Sequence, residues 1–172
     1  MLTLSLLRHA KSSWKNPTLP DRERPLATRG ITDSTLMGKA MAERGIDPEL
    51  VLCSSARRTR DTLALILPEL KVEPKVVYDD ALYHASPEAM LEMVRAVQNP
   101  RANHVLVGHN PEIQSFALDL VGSGPKHFRD RLSEKFPTAG LAVITFASGV
   151  WQSVEVNSGT LILFLSPRDL RI

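Results

Sequence analysis

Short apolar runs alternate with amphipathic helical patterns along the first 121 residues of the chain. The apolar runs predict β-strands at residues 3–7, 50–53, 75–78 and 104–107. Between and after them, the patterns predict helices at residues 28–44, 57–70, 87–97 and 111–121, with Thr28 and Asn110 as candidate N-caps and Gly45 as a stop. Alternating strands and helices are typical of a parallel sheet covered by helices. Three further strands are predicted at residues 141–146, 151–156 and 161–165, as a partly antiparallel edge.

The length of the chain fits one domain over residues 1–172. We therefore predict an α/β fold with three α/β/α layers, a mainly parallel central sheet and an antiparallel edge strand. The net charge of +2 and the lack of a long Lys or Arg run argue against nucleic acid as a partner. No apolar stretch reaches eighteen residues, so no membrane span is expected. Cys53 is the single cysteine, which excludes an internal disulfide and suits the cytoplasm.

Polar side chains follow three of the predicted strands at the point where each strand ends. The first strand runs into Arg8 and His9, the second into a segment that contains Arg57 and Arg58, and the fourth into His109. The carboxyl ends of parallel strands meet at one edge of a sheet, where open α/β sheets bind their ligands. We therefore expect these histidines and arginines to converge on one pocket.

The residue types in that pocket indicate phosphoryl chemistry. Arginine offers a planar fork of donors that matches phosphate oxygens, and helix N-termini that follow the strands add further N–H donors. A neutral imidazole can act as a nucleophile toward phosphorus. Taken one at a time, each of these residues could equally be a solvated strand end or a structural histidine. No HExxH or CxxC pattern accompanies the histidines, so neither a metal nor a cofactor is expected.

Three segments resemble motifs of the histidine phosphatase superfamily, the phosphoglycerate mutase-like enzymes. LLRHAKSSW at residues 6–14 resembles the RHG signature, with Ala10 in place of the usual glycine. SSARRTRDT at residues 54–62 resembles the S-P-x-x-R-A-x-x-T segment, with Ser55 and Thr59 at the Pro and Ala positions. VGHNP at residues 107–111 resembles the second-histidine motif. Their order and spacing agree with the superfamily over nearly the whole chain, and the resemblance implies a phosphoglycerate mutase-like fold.

Other segments resemble the SixA-type phosphohistidine phosphatase branch of this superfamily. PDRERPLATRG at residues 20–30 is similar to its D-x-x-R-P-L-x-x-x-G stretch. ALYHASPE at residues 81–88 and FPTAGLAVITF at residues 136–146 are similar to segments of small SixA-related bacterial proteins. The insertions of the cofactor-dependent mutases are missing, which makes sugar-phosphate mutase activity a weaker hypothesis.

The resemblance implies a role for each matching residue. His9 would be the nucleophile that becomes phosphorylated, and Arg8, Arg58 and His109 would bind the phosphoryl oxygens. The arginine of the family lies four residues after the serine, and the residue four after Ser54 is Arg58, so Arg57 is interpreted as a rim residue. Ser12 is a further candidate for binding phosphate from the loop after the first strand.

The general acid is the least defined element of this site. Asp21 matches the aspartate of the SixA-like stretch, and Asp80 is the alternative. A phosphohistidine substrate has an imidazole leaving group, which can depart without a strong acid. The expected function is thus a metal-independent phosphatase for phosphohistidine on a protein. The alternatives are a phosphatase for small phosphoesters and a non-catalytic module that binds phosphorylated ligands.

Overall fold

The computed structural model describes residues 1–98 and 103–171. Within these residues the strands are β1 (Leu2–Arg8), β2 (Leu50–Ser54), β3 (Lys75–Asp79), β4 (His104–Gly108), β5 (Val121–Ser123), β6 (Leu141–Phe146) and β7 (Gly159–Leu165). The α-helices are α1 (Thr28–Glu43), α2 (Arg57–Ile66), α3 (Pro87–Arg95), α4 (Glu112–Leu120), α5 (Lys126–Glu134) and α6 (Pro167–Leu170).

The strands form one sheet in the order β3-β2-β4-β1-β6-β7-β5. β1, β4, β2 and β3 pair in parallel, and so do β5 and β7, whereas β6 is antiparallel to both of its neighbours. The prediction of a mainly parallel sheet is therefore confirmed. The antiparallel strand does not lie at the edge as expected, because β6 lies inside the sheet between β1 and β7.

Both faces of the sheet are covered by helices, which confirms the three predicted layers. Successive side chains of a strand point to opposite faces, and β1 shows this alternation. Leu6 packs in the cluster that holds Phe116 of α4, whereas Leu7 packs in the cluster that holds Met37 of α1 and Ile66 of α2. The central strands are buried on both sides, so their carboxyl ends are the points where polar side chains can reach a ligand.

The strand predicted at residues 151–156 is wrong. Residues Trp151–Ser153 form a single 3-10 turn, and the chain continues to β7 without pairing in the sheet. Trp151 and Val154 are both buried, whereas Val156 is exposed. A spacing of three between buried residues is that of a helical turn, and a strand would have placed Trp151 and Val154 on opposite faces.

Two predicted helix caps are also wrong, whereas the predicted stop signal is confirmed. The N-cap of α1 is Ala27 and that of α4 is Pro111, so neither Thr28 nor Asn110 caps a helix through its side chain. Gly45 has φ +69°, the left-handed conformation that ends helices.

The short elements β5, α5 and α6 were not predicted. Leu132 is the only described buried residue of α5, so this helix lacks the apolar stripe that would have indicated it.

His104 should make the stability of the protein sensitive to acid. The residue is 1% exposed, and the centroid of its ring lies 4.4 Å from that of Trp151. Neither ring nitrogen has a hydrogen-bond partner among the described residues. Burial lowers the pKa of His104 from 6.5 to about 4. The unfolded chain therefore binds this proton first, so the contribution of His104 is complete above pH 6.5 and is lost as the pH falls toward 4.

We expect His104→Phe to reduce the loss of unfolding free energy between pH 7 and pH 5 by about 2 kcal/mol. Phenylalanine keeps a ring against Trp151 but cannot bind a proton. Urea unfolding at the two pH values measures the effect, and His127→Phe on the exposed side of α5 is the control. An unchanged pH dependence in His104→Phe would contradict the assignment.

Candidate active site

β1 brings Arg8 and His9 to the carboxyl edge of the sheet. The backbone N–H of His9 donates to the carbonyl oxygen of Gly108, at the end of β4 (3.1 Å). His9 Nδ1 lies 2.7 Å from the carbonyl oxygen of Ala10. A carbonyl oxygen only accepts, so Nδ1 carries the proton and Nε2 keeps its lone pair.

The environment of His9 keeps its ring neutral. The residue is 8% exposed, and burial, followed by the charges of His109, Arg58 and Arg8, lowers its pKa to about 3. The hydrogen bond to Ala10 opposes this effect only in part. At neutral pH His9 is therefore an uncharged imidazole with a free nitrogen, which is the form that attacks phosphorus.

His109 lies beside His9 at the end of β4. The centroids of the two rings are 5.4 Å apart, and the ring planes are tilted by 52°. Burial, followed by the charge of Arg58, lowers the pKa of His109 to about 4, so this ring is also neutral at pH 7. The pairing of β1 with β4, which sets Arg8 opposite Gly108, explains why the two histidines meet.

Arg58 lies near both histidines and extends from the first turn of α2. We call Arg8, His9, Arg58 and His109 together the cluster. The guanidinium of Arg58 donates to the backbone oxygen of Asp21 (2.9 Å) and to the carboxylate of Asp21 (3.0 Å). Thr62, one turn further along α2, donates to the Arg58 carbonyl and accepts the backbone N–H of Ala10 (3.0 Å), which ties α2 to the loop after β1. Arg57 instead points to solvent and pairs with Asp61 on its own helix.

Two polar atoms of this cluster are buried without a hydrogen-bond partner in the described part of the chain. They are Arg8 Nε and His109 Nδ1. Arg8 is otherwise held by a hydrogen bond from Nη1 to the carbonyl oxygen of Phe136 (2.8 Å). Leaving such groups unpaired costs roughly 1–3 kcal/mol each, and native structures tolerate this mainly where the groups have a function. Both atoms are suited to bind an anion next to His9.

Asp21 is placed as a partner of cations. Its carboxylate accepts hydrogen bonds from Tyr83 Oη, Arg58 and Arg24. The hydrogen bond from Tyr83, together with the charge of Arg58, lowers its pKa to about 2. Asp21 is therefore ionised at neutral pH, and the geometry does not favour it as the proton donor that the sequence suggested.

Asp80, the alternative acid, is ionised as well. It is largely exposed and accepts hydrogen bonds from Ser55 and from Arg22 Nη2 (2.8 Å). These two hydrogen bonds lower its pKa. Neither predicted acid thus has a proton to give at neutral pH in this arrangement.

Ser12 contacts Arg24 rather than the histidine pair. Arg24 is 7% exposed, and its guanidinium donates to the hydroxyl of Ser12 and lies against the ring of Trp14. The same guanidinium donates to Asp21. Arg24 thereby joins the loop after β1 to the SixA-like stretch. Phosphate binding by Ser12 stays a prediction.

Gly30, the last residue of that stretch, allows α1 to approach the same loop closely. A Cβ atom at this position would lie 2.2 Å from the carbonyl oxygen of Lys11. Only glycine fits this approach without a backbone shift. Two contacts therefore explain the D-x-x-R-P-L-x-x-x-G spacing. Arg24 hydrogen-bonds to the loop after β1, and Gly30 leaves room for the backbone of that loop.

Sequence reasoning missed Tyr83 as a residue of the site. Tyr83 donates to Asp21, and its ring stands edge-on to His109, with centroids 5.4 Å apart. The SixA-like segment ALYHASPE was the available signal, but a lone tyrosine in a short 3-10 turn (Asp80–Tyr83) gives no indication of its contacts.

Ser54, the serine from which the position of Arg58 is counted, also contacts His109. Ser54 is completely buried, and its Oγ lies 2.7 Å from His109 Nε2. The same oxygen accepts the backbone N–H of Ala56 (3.4 Å). When the hydroxyl donates to Nε2, the ring proton of His109 lies on Nδ1, the nitrogen that has no protein partner. Ser54 is therefore placed to set the tautomer of His109.

We expect Ser54→Ala to lower kcat about fivefold to tenfold, because one neutral hydrogen bond contributes about 1 kcal/mol. Ring ¹⁵N shifts of His109 should show a loss of the Nδ1–H tautomer, and Ser54→Thr should restore both readouts. A loss of kcat without any change in the tautomer would assign Ser54 a packing role.

Comparisons with known proteins show the family of this chain. Residues 4–86 match the sequence model of the Histidine phosphatase superfamily (branch 1). An uncharacterised protein of Mycobacterium leprae is 37% identical over 166 residues, which cover 94% of this chain and 100% of the relative. This chain belongs to the histidine phosphatase superfamily. The match supports a phosphatase activity for this chain.

Solved structures place the chain in the SixA-like branch of that superfamily. A protein of Agrobacterium tumefaciens assigned as a phosphohistidine phosphatase SixA is 30% identical, with 96% of this chain and 97% of that chain covered and a TM-score of 0.80. A protein of Nakamurella multipartitia with the same assignment is 28% identical, with 96% and 95% covered and a TM-score of 0.78. The fold of this histidine phosphatase is accordingly phosphoglycerate mutase-like.

In residues 1–98 and 103–171, no group of three or more His, Cys, Asp or Glu side chains is arranged to hold a metal ion. Within the same ranges, no helix combines the length and the apolar character that a membrane span needs.

Proposed function

We propose that this histidine phosphatase hydrolyses phosphohistidine on a protein through a covalent phosphoryl group on His9. The observation that carries the proposal is the state of the two carboxyl groups that the sequence offers as general acids. Asp21 and Asp80 are both held ionised by hydrogen-bond donors and cations. Without a protonated carboxyl, the site cannot donate a proton to the leaving group from these two residues. Such a site favours a substrate whose leaving group departs easily, and the imidazole of phosphohistidine is such a group.

In the proposed first step, the lone pair on His9 Nε2 attacks phosphorus in line with the bond to the substrate nitrogen. The substrate imidazole enters with a proton on its other nitrogen. The new bond joins His9 Nε2 to phosphorus and the substrate P–N bond breaks, so its electron pair stays on the departing nitrogen and the imidazole leaves neutral with the proton it already carried. Arg8 and Arg58 bind the equatorial oxygens, and His109 donates from Nδ1. Donors fixed in advance stabilise the charge that spreads over these oxygens.

In the second step, water attacks the phosphoryl group on His9. The bond between phosphorus and Nε2 breaks, its electrons return to the imidazole, and inorganic phosphate leaves. The low pKa of His9 favours this step, since a weakly basic imidazole is a good leaving group. The proposed setting is the cytoplasm, with which the free, buried thiol of Cys53 is compatible.

The test compares substrates that differ in their leaving group. A phosphohistidine-containing carrier protein and a panel of small alkyl phosphates are assayed at equal concentration. The proposal predicts that kcat/KM for the phosphoprotein exceeds that for any alkyl phosphate by at least about 10²-fold, since a general acid typically supplies 10²–10⁴-fold. Turnover of small esters alone would instead make the chain a phosphomonoesterase of the same superfamily. Binding of phosphoprotein without turnover would make it a phospho-ligand module.

Asp21→Asn separates the two roles open to this residue. If Asp21 neutralises Arg58, the amide should change turnover of phosphohistidine by less than about tenfold and tighten inhibition by inorganic phosphate about threefold to fivefold, as expected for a half-exposed ion pair. Asp61→Asn, on the exposed side of α2, is the control. If turnover instead falls by about 10²-fold or more, with the largest loss for poor leaving groups, Asp21 is the acid after all.

A further inference from the structure

A second cationic cavity lies at the same edge of the sheet as His9. It has a volume of about 410 Å³ and is lined by five cationic side chains, those of Arg29, Arg131, Lys135, Arg168 and Arg171. We call it the basic pocket. The catalytic cluster described above uses none of these five residues, so their convergence needs a separate explanation.

The sheet register fixes where the basic pocket lies relative to the catalytic cluster. Leu7 of β1 pairs with Leu141 of β6, which pairs with Leu165 of β7. Arg8 follows Leu7, and Ser166, which lines the pocket, follows Leu165. Two strand spacings therefore separate Arg8 from the pocket wall, a distance of about 10 Å.

The segment at residues 135–139 forms a wall shared by the two sites. Pro137 and Thr138 line the basic pocket. On either side of them, the carbonyl oxygen of Phe136 accepts from Arg8 Nη1 (2.8 Å), and the backbone N–H of Ala139 donates to the carbonyl oxygen of His9 (3.0 Å). A ligand that reaches from His9 along this edge passes this wall and meets the basic pocket.

Three of the arginines are held in place by carboxylates. Asp33 is completely buried and pairs with both Arg29 and Arg171. Asp169 pairs with Arg131 (2.6 Å). Each of these guanidiniums is partly exposed and has further N–H donors, so the ion pairs orient the forks without using all of them.

Lys135 and Arg168 leave the pocket with an excess of positive charge. Both are exposed, and neither has an ion-pair partner among the described residues. The carboxylates nearby are Asp33, Asp169 and Glu134, fewer than the cations. A pocket with surplus cations and guanidinium forks is complementary to carboxylates.

We propose that the basic pocket binds acidic side chains of the phosphoprotein substrate, about three residues from its phosphohistidine. This inference rests on the proposed function and specifies the substrate. An extended chain advances about 3.3–3.6 Å per residue, so three residues span the distance between the two sites. The pocket thus selects phosphohistidines that lie in an acidic context.

The test uses two phosphohistidine peptides, one with glutamates and one with glutamines at the third and fourth positions on each side. The wild-type enzyme should favour the glutamate peptide about tenfold in kcat/KM, and K135E/R168E should lose that preference. K39E/K71E changes the net charge equally, with Lys39 near the end of α1 and Lys71 before β3 at the opposite edge, and should retain it. Hydrolysis of phosphoramidate, which carries only the reacting group, should be equal in all three proteins.

Retention of the preference in K135E/R168E would overturn the inference while leaving the proposed function intact. A sugar bisphosphate is assayed in parallel. If K135E/R168E lowered kcat/KM for this compound alone, the pocket would be a site for a second phosphate, and the inference would again be overturned. If the wild-type enzyme hydrolyses no phosphohistidine compound, the proposed function fails. The pocket is then judged by calorimetric titration with the unphosphorylated glutamate peptide, whose binding must be present in wild type and lost in K135E/R168E.

Discussion

His9→Ala should reduce turnover of a phosphohistidine protein by about 10⁴-fold or more. His9 Nε2 is the free nitrogen of a ring that is neutral because burial lowers its pKa to about 3. Alanine removes the atom that would form the covalent bond and leaves Arg8, Arg58 and His109 in place. Substrate affinity should therefore change much less than kcat, which single-turnover kinetics with separate binding measurements can show.

His127→Ala is the matched control for this substitution. His127 is exposed on α5 and has no contact with the cluster. It should retain wild-type kcat and KM. Comparable residual activity in His9→Ala and His127→Ala would mean that the reaction proceeds by direct attack of water and that His9 only binds.

Arg58→Ala should lower kcat/KM by about 10²–10³-fold, the usual loss for one donor to a developing oxyanion. The side chain is buried against Asp21, beside the histidine pair. The adjacent arginine offers a close control, because Arg57 is exposed and pairs with Asp61. Arg57→Ala should leave kcat/KM within about twofold.

The contrast between these adjacent positions tests the register of the second motif. An equal loss in both variants would indicate a general effect of charge near the substrate. A larger loss in Arg57→Ala would contradict the assignment of Arg58 to the phosphoryl group. Circular dichroism and urea unfolding of both variants show whether a loss of activity reflects a loss of fold.

The convergence of the central residues could be predicted from the sequence for a simple geometric reason. Arg8, His9 and His109 follow strands that pair in parallel, and parallel strands deliver their carboxyl ends to one edge. Local patterns were sufficient for these three because each is adjacent to an element with a strong apolar signal. The choice of Arg58 over Arg57 needed the resemblance to the family motif, in which the arginine lies four residues after the serine.

Other features depend on contacts between distant segments and have no local pattern. Tyr83 reaches Asp21 across 62 positions of the chain, and this contact helps to make the predicted acid a carboxylate. The basic pocket joins Arg29 to Lys135 and Arg168, which meet only because β7 lies two strands from β1. Trp151 begins the strand predicted at residues 151–156, but its ring stacks on His104 from a 3-10 turn, so this packing overrides the strand pattern.

The proposed mechanism requires that a phosphoryl group passes through His9. The direct measurement is acid-free rapid quench of the wild-type enzyme with a ³²P-labelled phosphohistidine protein, followed by peptide mapping under alkaline conditions. A covalent intermediate predicts a burst of label on the peptide that contains His9, stable to base and lost in acid, and absent from His9→Ala. Release of labelled phosphate by the wild-type enzyme with no label on His9 at any time point would contradict it.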